Sequence, residues 1–258
     1  MTKRICVIPA RMASSRYPGK PMALLLGLPL ILHVWQRCRL ESRFDRVIVA
    51  TCDQEIMDCV IDAGGEAIMT DDTHERCTDR VSQAVEIANL DLLDDDLVLM
   101  VQGDEVLVNP DMLGRMIEVF EETHPPAVNL ISRLYKAQDH DDVNVVKVAT
   151  GLDGRIVFLS RAAIPSRARA DDVPMYQQTG VIAYAASFLE EFSLLKQTPL
   201  EIVESIDMLR LIEHGLPLYG VKTDIETIGV DTPDDGTRAE RLLKQDIWTE
   251  KYLPSALN

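Results

Sequence analysis

Short runs of β-branched and apolar residues alternate along the chain with longer segments whose apolar positions recur every three or four residues. The short runs predict strands at RICVIPA (4–10), RVIVATC (46–52), EAIMT (66–70) and DLVLMVQGDE (96–105). Between them the longer period predicts helices over LPLILHVWQRCRLES (28–42), QEIMDCVIDAGG (54–65, closed by glycine), TDRVSQAVEIANL (78–90) and PDMLGRMIEVFEETHPP (110–126, stopped by two prolines). Strict alternation of this kind predicts βαβ units, hence a mostly parallel sheet with helices on both faces. From residue 127 the pattern changes. AVNLISRLYKA, VNVVKVAT, RIVFLSRAAIP and TGVIAYA are consecutive strand-like pieces, and Gly151–Gly154 has hairpin chemistry. Helices at SFLEEFSLLK (187–196) and PLEIVESIDMLRLIEHG (199–215), a strand at LPLYGVKT (216–223) and a helix from Pro233 complete the chain. With no repeat, low-complexity tract or linker, residues 1–258 read as a single α/β domain carrying an antiparallel elaboration.

Charge sharpens this picture. The chain holds 42 acidic against 26 basic residues, a formal net charge of −16, which argues against nucleic acid or an anionic membrane as partner. No apolar run approaches the roughly twenty residues that span a bilayer, and the start of the chain has no signal-peptide core, so a cytoplasmic protein is expected. The five cysteines form neither a CxxC pair nor a Cys/His cluster, and read as free thiols. His33, in an apolar helix, and the methionines Met112, Met116 and Met208 read as core; His74 reads as a loop residue and the run DLLDDDL (91–97) as a solvated turn.

Against the acidic background one stretch is locally basic. VIPARMASSRYPGKPM (7–22) places Arg11, Arg16 and Lys20 directly after the first predicted strand. Ligands of open parallel sheets sit beyond the carboxyl ends of the strands. There, Pro18 and Gly19 let backbone amides turn inward while the three cations meet a polyanion; a triphosphate suits them better than a single carboxylate. The loop is neither GxxxxGK[ST] nor GxGxxG. Asp104 or Glu105, at the end of VQGDE, projects from the same edge, and a carboxylate beside a phosphate loop points to a divalent cation. Asp231, in IGVDTPDD, is a second such acid, with a helix N-cap as its alternative role. No Ser/His/Asp arrangement suggests a covalent nucleophile.

Taken together, IPARMASSRYPGKPMALLLGLPLILHV, RVIVATCDQEI, VQGDE, NVVKV, FLSRAAIP, TGVIAY, PLEIVES and GVDTPDD resemble the 3-deoxy-manno-octulosonate (Kdo) cytidylyltransferases, or CMP-Kdo synthetases, in order and over nearly the whole chain. The resemblance implies a Rossmann-like, glycosyltransferase-A-like nucleotidyltransferase fold, Mg2+ as cofactor, a homodimer, and the conversion of CTP and an acidic ulosonic sugar to a CMP-sugar and pyrophosphate for surface-polysaccharide precursors. Residues 127–190 become the sugar-binding and dimerisation elaboration. Pro9, Ala10, Arg11, Ser14, Arg16, Lys20, Thr78 and Gln102 are then expected at the nucleotide, with Arg11, Lys20 and Asp104 as the catalytic set. Asp104 and Asp231 are expected at the metal; Gln102, Arg161, Gln178, Tyr184, Glu201 and Glu204 at the sugar.

Three departures bear on specificity. Where the family reads SGTER this chain has RCTDR, with Arg76 and Cys77; where it has a histidine before LGIYGY this chain has Gln178, and the first tyrosine is Ile182; where it has EQLR this chain reads DMLR, 207–210. A lost hydrogen-bond partner can cost about 1 to 3 kcal/mol. These changes leave open another nucleotide or another acceptor, such as an amino-modified ulosonate or a nonulosonate. A catalytically weak nucleotide-binding module is the reading of a different class, disfavoured by the intact Arg11, Lys20, Asp104 and Asp231.

Overall fold

The protein is described by a computed structural model, covering residues 2–14, 16–169 and 173–253. The first half runs β1 (Arg4–Ala10), the small hairpin β2 (Leu24–Leu25) and β3 (Leu28–Pro29), α1 (Leu30–Arg39), β4 (Arg46–Thr51), α2 (Gln54–Asp62), β5 (Glu66–Met69), α3 (Cys77–Ala88), β6 (Leu97–Val101) and α4 (Pro110–Thr123). The second half runs β7 (Ala127–Leu134), α5 (Ala137–Asp141), β8 (Lys147–Thr150), β9 (Ile156–Ser160), β10 (Met175–Ala185), α6 (Ala186–Leu194), α7 (Pro199–Glu204), α8 (Leu209–Glu213), β11 (Leu218–Thr223), α9 (Pro233–Leu243) and α10 (Thr249–Tyr252).

The main path of the sheet is β11-β7-β10-β6-β1-β4-β5, with β8 joined to β10 and β9 to β8. Its strands are mutually parallel except β10, which runs antiparallel to both β6 and β7. The mixed, mostly parallel α/β fold expected from the alternation is therefore the fold observed. Period-two alternation explains its two cores. On β1, Cys6 and Ile8 face one side with Leu30, Val34 and Trp35 of α1 and Leu113, Ile117 and Phe120 of α4. Ile5 and Val7 face the other side with Val81 and Ala84 of α3 and Phe188, Leu189 and Phe192 of α6. A strand covered on both faces reads as an unbroken apolar run, which is why RICVIPA was so legible. His33, Met112, Met116 and Met208 lie in these cores; His33 is fully buried, its ring nitrogens 2.7 Å from the Tyr252 hydroxyl and from the Leu25 carbonyl.

The structure corrects several local expectations. The segment 199–215 is two helices, α7 and α8, because Ser205 adopts the left-handed region (φ 54°) and ends the first. The α10 turn near the end of the described chain had no distinct periodic signal. The acidic run 91–97 is not wholly solvated: Asp96 is buried, and its carboxylate accepts from the backbone N–H groups of Lys3 and Leu93. β10 begins at Met175, earlier than expected, and is interrupted by a bulge between Gln178 and Ile182. The side chain of Asn129, on β7, fills that bulge: its amide donates to the carbonyls of Thr179 and Val181 and its oxygen accepts from Gln178.

Candidate active site

The ends of β1 and β6 meet the basic loop, and two backbone features force this close approach. A Cβ on Gly103 would stand 2.9 Å from the Pro9 carbonyl oxygen, so only glycine lets β6 leave the sheet beside β1. Gly19, at φ 72°, starts the short 3-10 turn Lys20–Met22, and its N–H donates to Met12 O at 3.0 Å. Within the loop, Ser14 Oγ accepts from Tyr17 N, while Asp53 at the start of α2 accepts from Met12 N at 2.8 Å. The loop is thus folded back over the sheet edge and aims Lys20 inward.

Lys20 Nζ donates to Asp104 Oδ2 at 2.7 Å and to Asp231 Oδ1 at 3.0 Å. Arg16 adds a second cation on Asp231, 2.8 Å from Oδ2. Burial opposes the charge on Lys20, but the two carboxylates more than offset it and hold its pKa above the ordinary lysine value. Backbone pairing explains how such distant acids converge. Glu105 bridges Gly229, and Val230 N donates to Asp104 O at 3.1 Å. The N-cap role is excluded for Asp231, since Thr232 caps α9 and forms a capping box with Asp235.

Glu105 is the buried neighbour of this cluster. Its Oε1 accepts from Gly180 N at 2.6 Å, and burial, then the nearby Asp104 charge, push its pKa up to about 7. Gly180 also accepts from Gln102 N at 2.9 Å, and a Cβ there would collide with the Gln102 side chain at 2.7 Å. The bulge of β10 is therefore what seats Gln102 and Glu105 at the sheet edge.

Two adjoining cavities open here, of about 650 and 770 Å3. The smaller is walled by Pro9, Ala10, Arg11, Ser14, Arg16, Lys20, Gln102 and Asp104. The larger is walled by Thr78, Gln102, Arg161, Gln178 and Asp231, and by Ile182 and Met208. Arg16, Arg76, Cys77, Gln102 and Asp104 border both. The expected nucleotide residues thus gather in one place, with Thr78 set slightly apart.

Three residues expected at the sugar are placed elsewhere. Tyr184 is fully buried, its hydroxyl 3.4 Å from Thr78 Oγ1 and 3.9 Å from Met208 Sδ, and it faces the core rather than the cavity. Burial raises its pKa far above the ordinary tyrosine range. Glu201 is also fully buried and ion-paired with Arg210, whose Nε donates at 2.8 Å. Glu204 instead braces β9, accepting from Ser160 Oγ at 2.6 Å and Arg161 N at 2.8 Å. Arg161 reaches the larger cavity, but its guanidinium donates to the carbonyls of Glu204, Val143 and Ser205.

Of the two acids that the sequence offered in VQGDE, Asp104 meets Lys20 while Glu105 turns to the Gly180 N–H, a structural engagement that the sequence did not indicate. Sequence reasoning also missed the ion pair of Arg76 with Asp207, 2.9 Å long, at the seam of the cavities. The departures from SGTER and EQLR were the signal for that pair. Cys77, beside Arg76, has its thiol pushed up to about 12, first by burial and then by the Asp104 and Asp207 charges. His74 stays at the loop, hydrogen-bonded to Gln83, and its carbonyl accepts from Arg11.

Comparison with known proteins bears on the family and the fold. A family model described as cytidylyltransferase matches residues 5–225. A 3-deoxy-manno-octulosonate cytidylyltransferase from Syntrophobacter fumaroxidans is 40% identical over 243 residues, covering 93% of this chain and 96% of the relative. An 8-amino-3,8-dideoxy-manno-octulosonate cytidylyltransferase from Shewanella amazonensis is 37% identical over 243 residues, covering 93% and 98%. A solved structure of CMP:2-keto-3-deoxy-manno-octonic acid synthetase complexed with CTP superposes with a TM-score of 0.87 at 30% identity, covering 95% of this chain and 99% of that one.

Proposed function

Because this chain belongs to the cytidylyltransferase family, we propose that it transfers CMP from CTP to a Kdo-type sugar acid, releasing pyrophosphate for surface-polysaccharide precursor synthesis. The observation that carries the reading is the convergence of Asp104 and Asp231 on Lys20 beside a cationic loop, in a cavity that continues into a second one large enough for an acceptor.

The smaller cavity takes the nucleotide, with Arg11, Arg16 and Lys20 on the phosphates and Pro9, Ala10 and Ser14 along the nucleoside. The larger takes the sugar between Gln102, Gln178 and Arg161. The acceptor's anomeric hydroxyl attacks the α-phosphorus. A new P–O bond forms as the hydroxyl gives up its proton to solvent, the bond from the α-phosphorus to the α–β bridging oxygen breaks, and pyrophosphate leaves with that electron pair. Catalysis of this kind rests on alignment and charge stabilisation: Arg11 and Lys20 meet the growing negative charge, and Gln102 lies where both substrates would touch.

The acid pair fits a divalent cation. Two carboxylates already share one cationic nitrogen, and Mg2+ characteristically takes one or two carboxylates and completes its shell with water and phosphate oxygens. Among the described residues no cluster of three His, Cys, Asp or Glu side chains could hold a metal without substrate. Bound there, Mg2+ would neutralise phosphate charge and lower the pKa of a coordinated hydroxyl.

We assign residues 1–258 to one nucleotidyltransferase unit, with 127–190 as the acceptor-binding and dimerisation part. Val157 on β9 is exposed there and suits a homodimer contact, which light scattering would test. Among the described residues no helix is long and apolar enough to cross a membrane, and the free cysteines suit a reducing cytoplasm. A second acceptor, an amino-modified ulosonate, is supported by the 37% identity to the 8-amino-3,8-dideoxy-manno-octulosonate enzyme, and the choice between acceptors would fall to Arg76, Gln178, Ile182 and Met208 at the larger cavity. Pyrophosphate release with Mg2+ and each of CTP, ATP, GTP and UTP, against Kdo and 8-amino-3,8-dideoxy-manno-octulosonate, tests the assignment. Release with CTP and either acid supports it; silence with every pair overturns it in favour of a binding module.

A further inference from the structure

Lys20 has two incompatible engagements. As a phosphate ligand it must point into the smaller cavity, yet its ammonium lies 2.7 Å from Asp104 and 3.0 Å from Asp231, where a cation held by both acids would lie. Its side chain is only 14% exposed and that of Asp104 only 20%, so water screens these contacts weakly. Arg16 is drawn to one of the same acids, 2.8 Å from Asp231. The third carboxylate of the corner, Glu105, is turned away to Gly180 N. Two acids and two cations therefore neutralise each other in the nucleotide-free protein.

A divalent cation cannot enter between Asp104 and Asp231 while the ammonium remains, because two cations at contact distance repel strongly in a half-buried site. A triphosphate cannot be gripped by Lys20 while it stays on the acids. Both events need the same displacement, so each favours the other. We propose that Lys20, seconded by Arg16, is the resident counterion of the acid pair, and that metal loads together with the triphosphate, which draws both side chains off the carboxylates onto phosphate oxygens. Every charge keeps a partner throughout the exchange. Metal alone is disfavoured, since nothing then receives the displaced ammonium. The inference rests on the metal and triphosphate reading of the site and adds the order in which that site fills.

The test is the binding of Mn2+ alone to nucleotide-free protein, followed by the electron paramagnetic resonance signal of free Mn2+. Lys20→Met and Lys20→Gln should each bind Mn2+ at least about tenfold more tightly than the wild type, the size of effect that a like charge at contact distance exerts. Arg16→Gln should give a smaller gain in the same direction. Adding Asp104→Asn to Lys20→Met should abolish the gain, locating the ion at the acid pair. Equal or weaker Mn2+ binding in folded Lys20 variants, checked by thermal melting, overturns the counterion role, as does a gain that survives Asp104→Asn. Should Lys20→Met and Lys20→Gln both fail to fold, Arg16→Gln decides by the same criterion. Turnover measured on the wild type separates the two failures: no release with any substrate pair sinks the proposed activity, whereas unchanged Mn2+ binding beside normal turnover sinks only the exchange.

Discussion

Arg76, the residue just before α3, reaches the loop between α7 and α8 and pairs with Asp207 at 2.9 Å, so the two segments RCTDR and DMLR touch each other. The departures from SGTER and EQLR are thus one structural change at the seam of the nucleotide and acceptor cavities. Both side chains are partly exposed, at 26% and 20%. Burial raises the Asp207 pKa against the pull of Arg76, so Arg76→Ala leaves a largely covered carboxylate without its cation and should cost about 1 to 3 kcal/mol of stability. The same change should raise the acceptor KM severalfold, and Arg76→Ala with Asp207→Ala should be less than additive in a double-mutant cycle of kcat/KM. Additive effects would mean that the pair does not act as a unit.

Asp104→Asn keeps the shape of the acid but not its charge. Turnover should fall by about 100-fold or more, while nucleotide still binds through Arg11, Arg16 and Lys20. Pyrophosphate release and equilibrium nucleotide binding, measured on one preparation, separate the two effects.

Arg210 and Glu201 anchor α8 to α7 from inside the fold, with Arg210 also donating to the carbonyls of Phe192 and Leu195. Arg210→Leu strands a buried carboxylate and should cost about 3 to 5 kcal/mol in urea unfolding. The loop bearing Asp207 loses its support with it, so activity should fall even where the variant stays folded.

On acidification His33 and then Glu201 withdraw stability, while Glu105, with its pKa pushed up to about 7, adds stability as pH falls from about 7 towards the ordinary carboxylate value of 4.5. His33 is held below its ordinary value of 6.5, chiefly by burial, so the unfolded chain takes up a proton first and the His33 contribution is lost as pH falls below about 6.5. Burial alone would raise Glu201, but hydrogen bonds from Arg210 and Thr198 N prevail and depress it below 4.5. Its contribution is therefore present above that pH and lost as pH falls through the depressed folded value. Chemical denaturation across pH should show the His33 contribution missing in a folded His33→Gln variant.

Cys77 borders both cavities, yet its thiol, pushed up to about 12, is almost entirely protonated at pH 8. Iodoacetamide at that pH should leave Cys77 unlabelled in peptide mass spectra and turnover intact. Rapid inactivation with Cys77 alkylated would contradict the environment described here.

What could be read in advance depended on how local the determining physics is. β1, β4 and β6 announce themselves because burial on both faces demands unbroken apolar runs, and the cations of the loop stand out against an acidic chain. Asp231 was ambiguous between cap and ligand because its role is decided by the Glu105–Gly229 bridge, a pairing no spacing encodes. The segment 199–215 read as one helix because its apolar period continues across Ser205, whose backbone conformation alone breaks it. Tyr184 was misplaced for a geometric reason. A motif match fixes residue type and not depth, and Tyr184 lies two positions, about 7 Å, deeper along β10 than Ile182 at the cavity floor.

The bulge held by Asn129 also bears on how such a site can diverge over time. β10 is hydrogen-bonded to β6, β7 and β8 at once, and Asn129 ties its irregular stretch to the strand beside it. At the centre of that stretch a Cβ on Gly180 would meet the Gln102 side chain at 2.7 Å, whereas its two ends, Gln178 and Ile182, line the larger cavity and are departures from the family pattern. The segments around Arg76 and Asp207 meet the same cavities from the ends of helices, where a side chain can change without unpicking a sheet. Acceptor choice can therefore be retuned from that helix-end rim and from the two ends of the bulge, over a centre that Gly180 and Asn129 hold in shape.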